Sequence, residues 1–194
     1  NDALNARINA VLDANSLRLQ ANATNTATGG DSGLRANANV SLPIDYDPQP
    51  LRLALDGNGP LSGNIAINGN IKPLYDLVDG VDRTVEGQID TNITLGGRLN
   101  DRRFSGPIRV SNARVDDHGI GLKLRNLNGE AQLTNDDITI SRLTAADARN
   151  GQIEASGRLR FRAQGPGNMG ELQVKLRDFR VADTDEVKIT TSGD

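Results

Sequence analysis

Apolar and polar residues alternate one for one along most of this chain, the period of a β-strand that turns one face to an apolar surface and the other to water. Leu34, Ala36, Ala38, Val40 and Leu42 fall on one parity, and Arg35, Asn37, Asn39 and Ser41 on the other. Leu51, Leu53 and Leu55 separate from Arg52 in the same way, and Ile65 and Ile67 belong to another such run. Further along, Ile89, Ile93 and Leu95 oppose Asp90, Asn92 and Thr94, Ile108 and Val110 continue the apolar set, and Ile120, Leu122 and Leu124 oppose Lys123 and Arg125. Leu133 closes the next run. Toward the end, Ile153, Ala155, Leu159 and Phe161 oppose Glu154, Arg158, Arg160 and Arg162, and Leu172, Val174 and Leu176 oppose Gln173, Lys175 and Arg177. Turn-forming clusters stand between the runs: Asp56-Gly57-Asn58-Gly59-Pro60, Asn68-Gly69-Asn70, Gly96-Gly97, Asn135-Asp136-Asp137 and Gln164-Gly165-Pro166-Gly167-Asn168. The pattern predicts roughly a dozen strands of about 6–8 residues, joined mostly as meanders.

A phrase made of a glycine and an alternating strand recurs, and its leading glycines, Gly63, Gly87, Gly106, Gly129, Gly151 and Gly170, lie 24, 19, 23, 22 and 19 residues apart. That spacing holds two strands and their turns, so it predicts a repetitive sheet and argues against an enzyme's closed core. Parity changes within two runs. Ile138 and Ile140 are followed by Leu143 and Ala145, and Leu176 by Phe179 and Val181, which requires a turn or bulge near Ser141-Arg142 and near Arg177-Asp178. One single-turn helix is expected over Lys72 to Val78, with Pro73 near its start and Leu74, Leu77 and Val78 as a stripe. Asp2 to Leu12 fits a helix through Leu4, Ile8, Val11 and Leu12 or a strand through Ile8, Ala10 and Leu12, and the strand is preferred because strands surround it.

Only 36% of the 194 residues are hydrophobic and 3% aromatic, as suits strands with one polar face. A net charge of −3 calls for neither disorder nor polyanion binding, and no basic run with interleaved aromatics points to nucleic acid. Cysteine is absent, which removes disulfides, thiolate zinc sites and thiol nucleophiles. No run of about 18 apolar residues is present to span a membrane as a helix. Residues 1–194 are expected to form a single β-groove piece of a longer repetitive protein.

Catalytic signals are weak. Gly30-Asp31-Ser32-Gly33 looks like a protease serine loop, but the only histidine is His118, so a turn is the better reading. Asp116, Asp117 and His118 are possible metal ligands but more often make a turn before Gly119; Asp136-Asp137 and Asp183 to Glu186 read as solvated loop charges. Asp56-Gly57-Asn58-Gly59 lacks the rest of a calcium loop. Arg158, Arg160 and Arg162 suit phosphate headgroups at a rim, or a solvated outer face. No catalytic residue, cofactor or metal site is assigned.

A sheet with one aliphatic face either closes into a sandwich or barrel or curls into an open trough. The apolar set is almost all Leu, Ile, Val and Ala, with few rings to fill a closed core, and the polar face runs on without a second apolar layer, which favours the trough. Leu95-Gly96-Gly97 followed by Phe104-Ser105-Gly106-Pro107-Ile108 is similar to a phrase of the C-terminal region of the TamB family, the inner-membrane subunits of the translocation and assembly module, within the AsmA-like group. Gly119, Leu124, Leu127, Asn128, Gly129 and Leu133 resemble a later phrase of that family, as do Gly151, Ile153, Gly157, Leu159 and Phe161; Arg149 stands where the family has a glycine, which puts that turn in doubt. The likeness is best over about residues 50–165.

The resemblance implies a β-taco with a hydrophobic interior, in a periplasmic segment of an inner-membrane-anchored protein of a Gram-negative bacterium, with the anchor supplied by a missing N-terminus. It further implies an outer-membrane barrel of the TamA or BamA type as partner, and roles in phospholipid transport and outer-membrane protein assembly. The expected fold is all-β, an elongated, curved, meandering groove with at most one short helix, and the expected ligand is phospholipid acyl chains held without covalent chemistry. Competing readings are a chaperone-like scaffold for barrel strands, which needs an exposed pairing edge, and a structural spacer or adhesin with a closed core. A strand-rich piece of a longer sheet is also expected to associate edge to edge.

Overall fold

The computed structural model describes residues 4–13, 15–25, 33–48, 51–78, 83–119, 121–160, 169–183 and 188–193. Twelve strands and one helix lie among them: β1 (Leu4–Asp13), β2 (Ser16–Asn25), β3 (Arg35–Pro48), β4 (Leu51–Leu55), β5 (Ser62–Asn70), α1 (Lys72–Val78), β6 (Arg83–Arg98), β7 (Asp101–Asp117), β8 (Leu122–Thr134), β9 (Asp137–Ala146), β10 (Gln152–Arg160), β11 (Met169–Asp183) and β12 (Lys188–Gly193). All pairings are antiparallel, and eleven strands follow one path in chain order, with β4 on the far half of β3 as the one departure. The sheet is open and does not close into a barrel. The alternation therefore yields the all-β, curved, meandering sheet with a single short helix that the sequence predicts.

The central strands are longer than the pattern suggests, at 16, 17 and 13 residues for β6, β7 and β8. The reason is that bulges interrupt the parity inside one continuous strand, so a single strand reads as two short runs. Asn112 of β7 shares one opposing residue on each side with a chain neighbour: with Ala113 it stands against Gly87, and with Ser111 against Asn128. Arg125 and Asn126 of β8 are likewise doubled against Arg114. Asn112 and Asn126 both carry a φ of 50°, in the left-handed region that asparagine tolerates. The two bulges expected from parity are present: Ser141-Arg142 of β9 face the single Ser156, and the β11 register shifts between Leu176 and Phe179 with Asp178 at φ 50°. Asn68-Gly69-Asn70 and Gly96-Gly97, read as turns, instead lie in the final residues of β5 and β6.

The bulges bend the sheet. In a flat sheet β8 and β11, three positions apart, would lie about 14 Å from each other. Their Cα atoms nevertheless come within 8 Å. The register runs from Gly87 past Asn112, Asn126, Ala145 and Gln152 to Asp178, so the distortions form a crease across six strands, and a bulge sharpens both bend and twist. Burial is concentrated along it: Ala113, Ala145, Gly151 and Phe179 are buried. At the other side of the sheet Leu34, fully buried, and Gly69 continue the line.

Charges on the opposite face form a row across the strands. Asp90 faces Arg109, Arg109 faces Glu130, Glu130 faces Arg142, and Glu154 faces Lys175, while Arg142 reaches Glu154 at 3.7 Å. Asn68 donates to Asp90 at 2.9 Å at one end of this row. Each pair is exposed, so each contributes only about 0.2–1 kcal/mol, but six alternating charges on six strands favour one register together. Nearer the β8–β9 turn, Arg160 donates to Asp137 at 2.6 and 3.0 Å. That hydrogen bond, opposed by burial and aided by the charges of Arg160 and Arg158, holds the Asp137 carboxyl below the ordinary carboxylate range.

Three outcomes follow for stability. Glu130→Lys turns two attractive cross-strand contacts into repulsive ones and is expected to lower urea stability by about 1 kcal/mol, with most of the loss removed in about 1 M salt. A Cβ at Gly87, whose φ is +139°, would collide with Ala113, whereas one at Gly96 meets open space. Gly87→Ala is thus expected to cost about 1–3 kcal/mol and Gly96→Ala far less, as read by thermal unfolding. Because Asp137 has a depressed folded pKa, its contribution is fully present above about pH 4 and lost as the pH falls through the folded value. Asp137→Asn should therefore be less stable than the parent at pH 7, with the difference shrinking as the pH falls below the ordinary carboxylate range.

Candidate functional site

Residues directly opposed across an antiparallel pair project from the same face of a sheet, so the register decides what the alternation only suggests. One row runs Ile8, Ala21, Ala38, Ile65 and Ile93 across β1, β2, β3, β5 and β6. A second runs Ile89, Val110, Gly129, Leu143, Ala155 and Val174 from β6 to β11. A third joins Thr91, Ile108, Ala131, Ile140, Gly157 and Leu172, and a fourth joins Gly106, Leu133, Ile138, Leu159 and Gly170. Ile67 pairs with Thr91, Leu95 with Gly63 and Phe104, and Ile153 with Ala145 and Leu176, all on this face. Beyond the crease, Val85, Val115 and Leu124 continue the same face, with Leu122 opposite Asp117.

Apart from Leu53 and Leu55, the described residues that the pattern assigns to the groove are gathered by the register on one surface. Leu53 and Leu55 stand on β4, the side strand, and both are 57% exposed. Phe161 lies outside the described residues. Leu95 is buried, Leu172 and Val174 are exposed, and the others are half-buried. No described strand or helix forms a second layer over them. Among the described residues the face is thus an aliphatic groove, shielded by its own curvature and otherwise open.

Helix α1 is fastened beside the crease. Asn70 Oδ1 accepts from the Lys72 N–H at 3.0 Å, capping the helix, and the Ile71 N–H donates to the Gly87 carbonyl at 2.9 Å. At the opposite end of the strands, Leu61 and Ile44 are buried, and the Leu61 N–H donates to the Gly97 carbonyl at 3.0 Å.

The polar candidates belong to turns and to the outer face. Asp117 accepts from Arg83 Nε at 2.6 Å and from the Gly119 N–H at 2.9 Å, so its carboxylate organises the β7–β8 turn. Among the described residues no three His, Asp or Glu side chains converge as a metal set. Asp56 accepts from the Asn58 N–H at 2.9 Å in a tight turn. Arg158 faces Thr139 and Glu171, and Arg160 is held by Asp137, both on the outer face; Arg162 lies outside the described residues. Asp136 sits in the β8–β9 turn, Asp183 ends β11, and residues 184–187 and 26–32 lie outside the described residues, Gly30 to Ser32 among them. The turn that carries Arg149 is closed by buried Asp147, which accepts from the N–H groups of Arg149 and Gly151, each at 2.8 Å, while Asn150 takes the positive φ of 66°.

The pattern missed Ala113 and Leu127 as members of the apolar face. The steps Val110 to Ala113 and Leu124 to Leu127 are odd-numbered, the same parity change that marks the other bulges, and an asparagine stands in each gap. No family model matches this chain, and no curated protein or solved structure matches it either.

Proposed function

We propose that this chain is a segment of a periplasmic β-groove that shields phospholipid acyl chains on their way between the inner and outer membranes, in a protein anchored to the inner membrane elsewhere in its sequence. An outer-membrane barrel of the TamA or BamA type is the proposed partner, and support of barrel-protein assembly the linked role. The observation that carries this reading is a continuous aliphatic face from β1 to β11 with no layer of described residues over it. The phrases around Leu95-Gly96-Gly97, Phe104-Ser105-Gly106 and Leu127-Asn128-Gly129 support the family side of the proposal.

The physics suits a conduit. Each methylene taken from water gains about 0.8 kcal/mol, so a chain of about 16 carbons faces roughly 12 kcal/mol on leaving a membrane unaided. Half-buried Ile and Leu side chains remove most of that cost. These aliphatic side chains carry no polar group to fix a headgroup, so the lipid is shielded without being held at one place. Roughly ten strand spacings of about 4.8 Å give the sheet a length near about 48 Å. The groove does no chemistry in this reading: it acts by solvation alone. A spacer would instead need the apolar face closed.

Phospholipid transfer between vesicles tests the reading. A photo-reactive side chain at Ile93, on the groove face, is expected to crosslink phospholipid, and one at Asn92, on the outer face, is not. Ile93→Asp and Ile140→Arg are expected to stop transfer while circular dichroism stays strand-like, because a charge opposite a hydrocarbon chain raises the local barrier by several kcal/mol. Equal crosslinking from both faces, or full transfer by the folded charge variants, overturns the proposal.

A further inference from the structure

The strands of a one-sided groove end at its two rims, and a charge on the groove face must sit at a rim or be desolvated among aliphatic side chains. The strands from β1 to β10 follow that rule. Among their described residues, the register puts a charge on the groove face only at Arg83, Asp117 and Arg102. Arg83 and Asp117 stand opposite each other beyond the crease and are joined at 2.6 Å, so their charges cancel. Arg102 stands at the other rim, near the tip of the β6–β7 hairpin.

Arg102 is left open there. The residue opposite it on β6 is Gly97, which has no side chain to offer; its φ is +85°, and a Cβ would strike the Asp101 carbonyl. On the other side β8 pairs with β7 only from Ser105 onward, so no β8 residue faces Arg102. The nearest carboxylate in the chain, Asp101, belongs to the outer face, where it lies opposite Arg98 and 3.7 Å from Arg103. Arg102 is exposed and makes no hydrogen bond or ion pair with a described residue. Two residues into the groove, about 7 Å along the strand, come half-buried Phe104 and, opposite it, buried Leu95. A single uncompensated positive charge thus borders the aliphatic surface.

We propose that Arg102 is the subsite for an anionic phosphate headgroup whose hydrocarbon chain lies on the groove face beside Phe104 and Leu95. The proposal rests on the reading of the groove as a shield for acyl chains, and adds the class of amphiphile and the way round that it lies. A guanidinium matches phosphate both in charge and in its fork of N–H donors. Because the site is exposed, the attraction is modest and screened by salt. It sets the head at this rim without stopping the passage of the lipid.

The whole 194-residue chain is titrated at about 0.15 M ionic strength with dodecyl phosphate, with uncharged dodecyl maltoside and with inorganic phosphate, each amphiphile below its micelle concentration. Dodecyl phosphate is expected to bind about fivefold more tightly than the maltoside, and inorganic phosphate not measurably. Arg102→Gln is expected to abolish the preference with maltoside affinity unchanged, Arg102→Lys to keep part of it, and Arg103→Gln, on the outer face of the same hairpin, to keep all of it. Circular dichroism and thermal unfolding are expected to stay the same in all three, since both arginines are exposed. Equal affinity for the two amphiphiles, or a preference that survives Arg102→Gln, overturns the headgroup subsite and leaves the groove reading standing. Inorganic phosphate that binds as tightly as dodecyl phosphate overturns it too, since an ion site would then act without the groove. Failure of both amphiphiles to bind removes the groove reading itself, and the subsite with it.

Discussion

Directly opposed residues of an antiparallel pair share a face, and this constraint governs the molecule more than any single contact. With eleven strands in register, one apolar residue on the groove side commits its opposite neighbours to that side too. A bulge breaks the rule locally by adding a residue, so the sequence must change parity where the bulge sits. It does so at each bulge of the inner strands: Val110 gives way to Ala113 in β7, Leu124 to Leu127 in β8, Ile140 to Leu143 in β9 and Leu176 to Phe179 in β11. The unbulged strands β6 and β10 keep a single parity from Val85 to Leu95 and from Ile153 to Leu159. The bends in the sheet are thus written into the side-chain order.

The repeated glycines fall into place within that register. Gly63 lies opposite Leu95, Gly106 opposite Leu133, Gly129 opposite Val110 and Leu143, and Gly170 opposite Leu159. Rows of the groove thus set large aliphatics beside glycine or alanine. Curling a sheet toward one face crowds the side chains of that face, and a row with interspersed empty positions accommodates the curl where a full row of leucines would resist it. The period of about two strands is therefore a packing rule for a concave surface.

Much of this was legible before the structure. Strand number, the meander, the single helix and two of the bulges follow from periodicity alone, because a half-exposed sheet gives the cleanest alternation. Strand length did not follow, since the bulges at Asn112 and Asn126 divide β7 and β8 into runs that look separate. The detour of β4 was equally hidden: Leu51, Leu53 and Leu55 alternate like any other strand, and only pairing with Ile44 and Tyr46 shows that they leave the main path. Nor did composition reveal the row from Asp90 to Lys175, because its members lie 12 to 21 residues apart and meet only through the register.

That row answers a problem the groove face creates. Aliphatic side chains of similar size tolerate a slip of two residues, which returns every side chain to its own face and replaces one Ile or Leu by another. The apolar surface that gives the groove its capacity for varied hydrocarbon is for the same reason a poor guide to pairing. Register must then be specified on the other face and at the bulges. A two-residue slip of β8 against β7 would face Arg109 with Asn128 or Gln132 in place of Glu130, and would part the bulge at Asn126 from that at Asn112. The outer face supplies specificity and the inner face supplies solvation, a division that an aliphatic groove requires and that a closed sandwich, packed from both sides, does not.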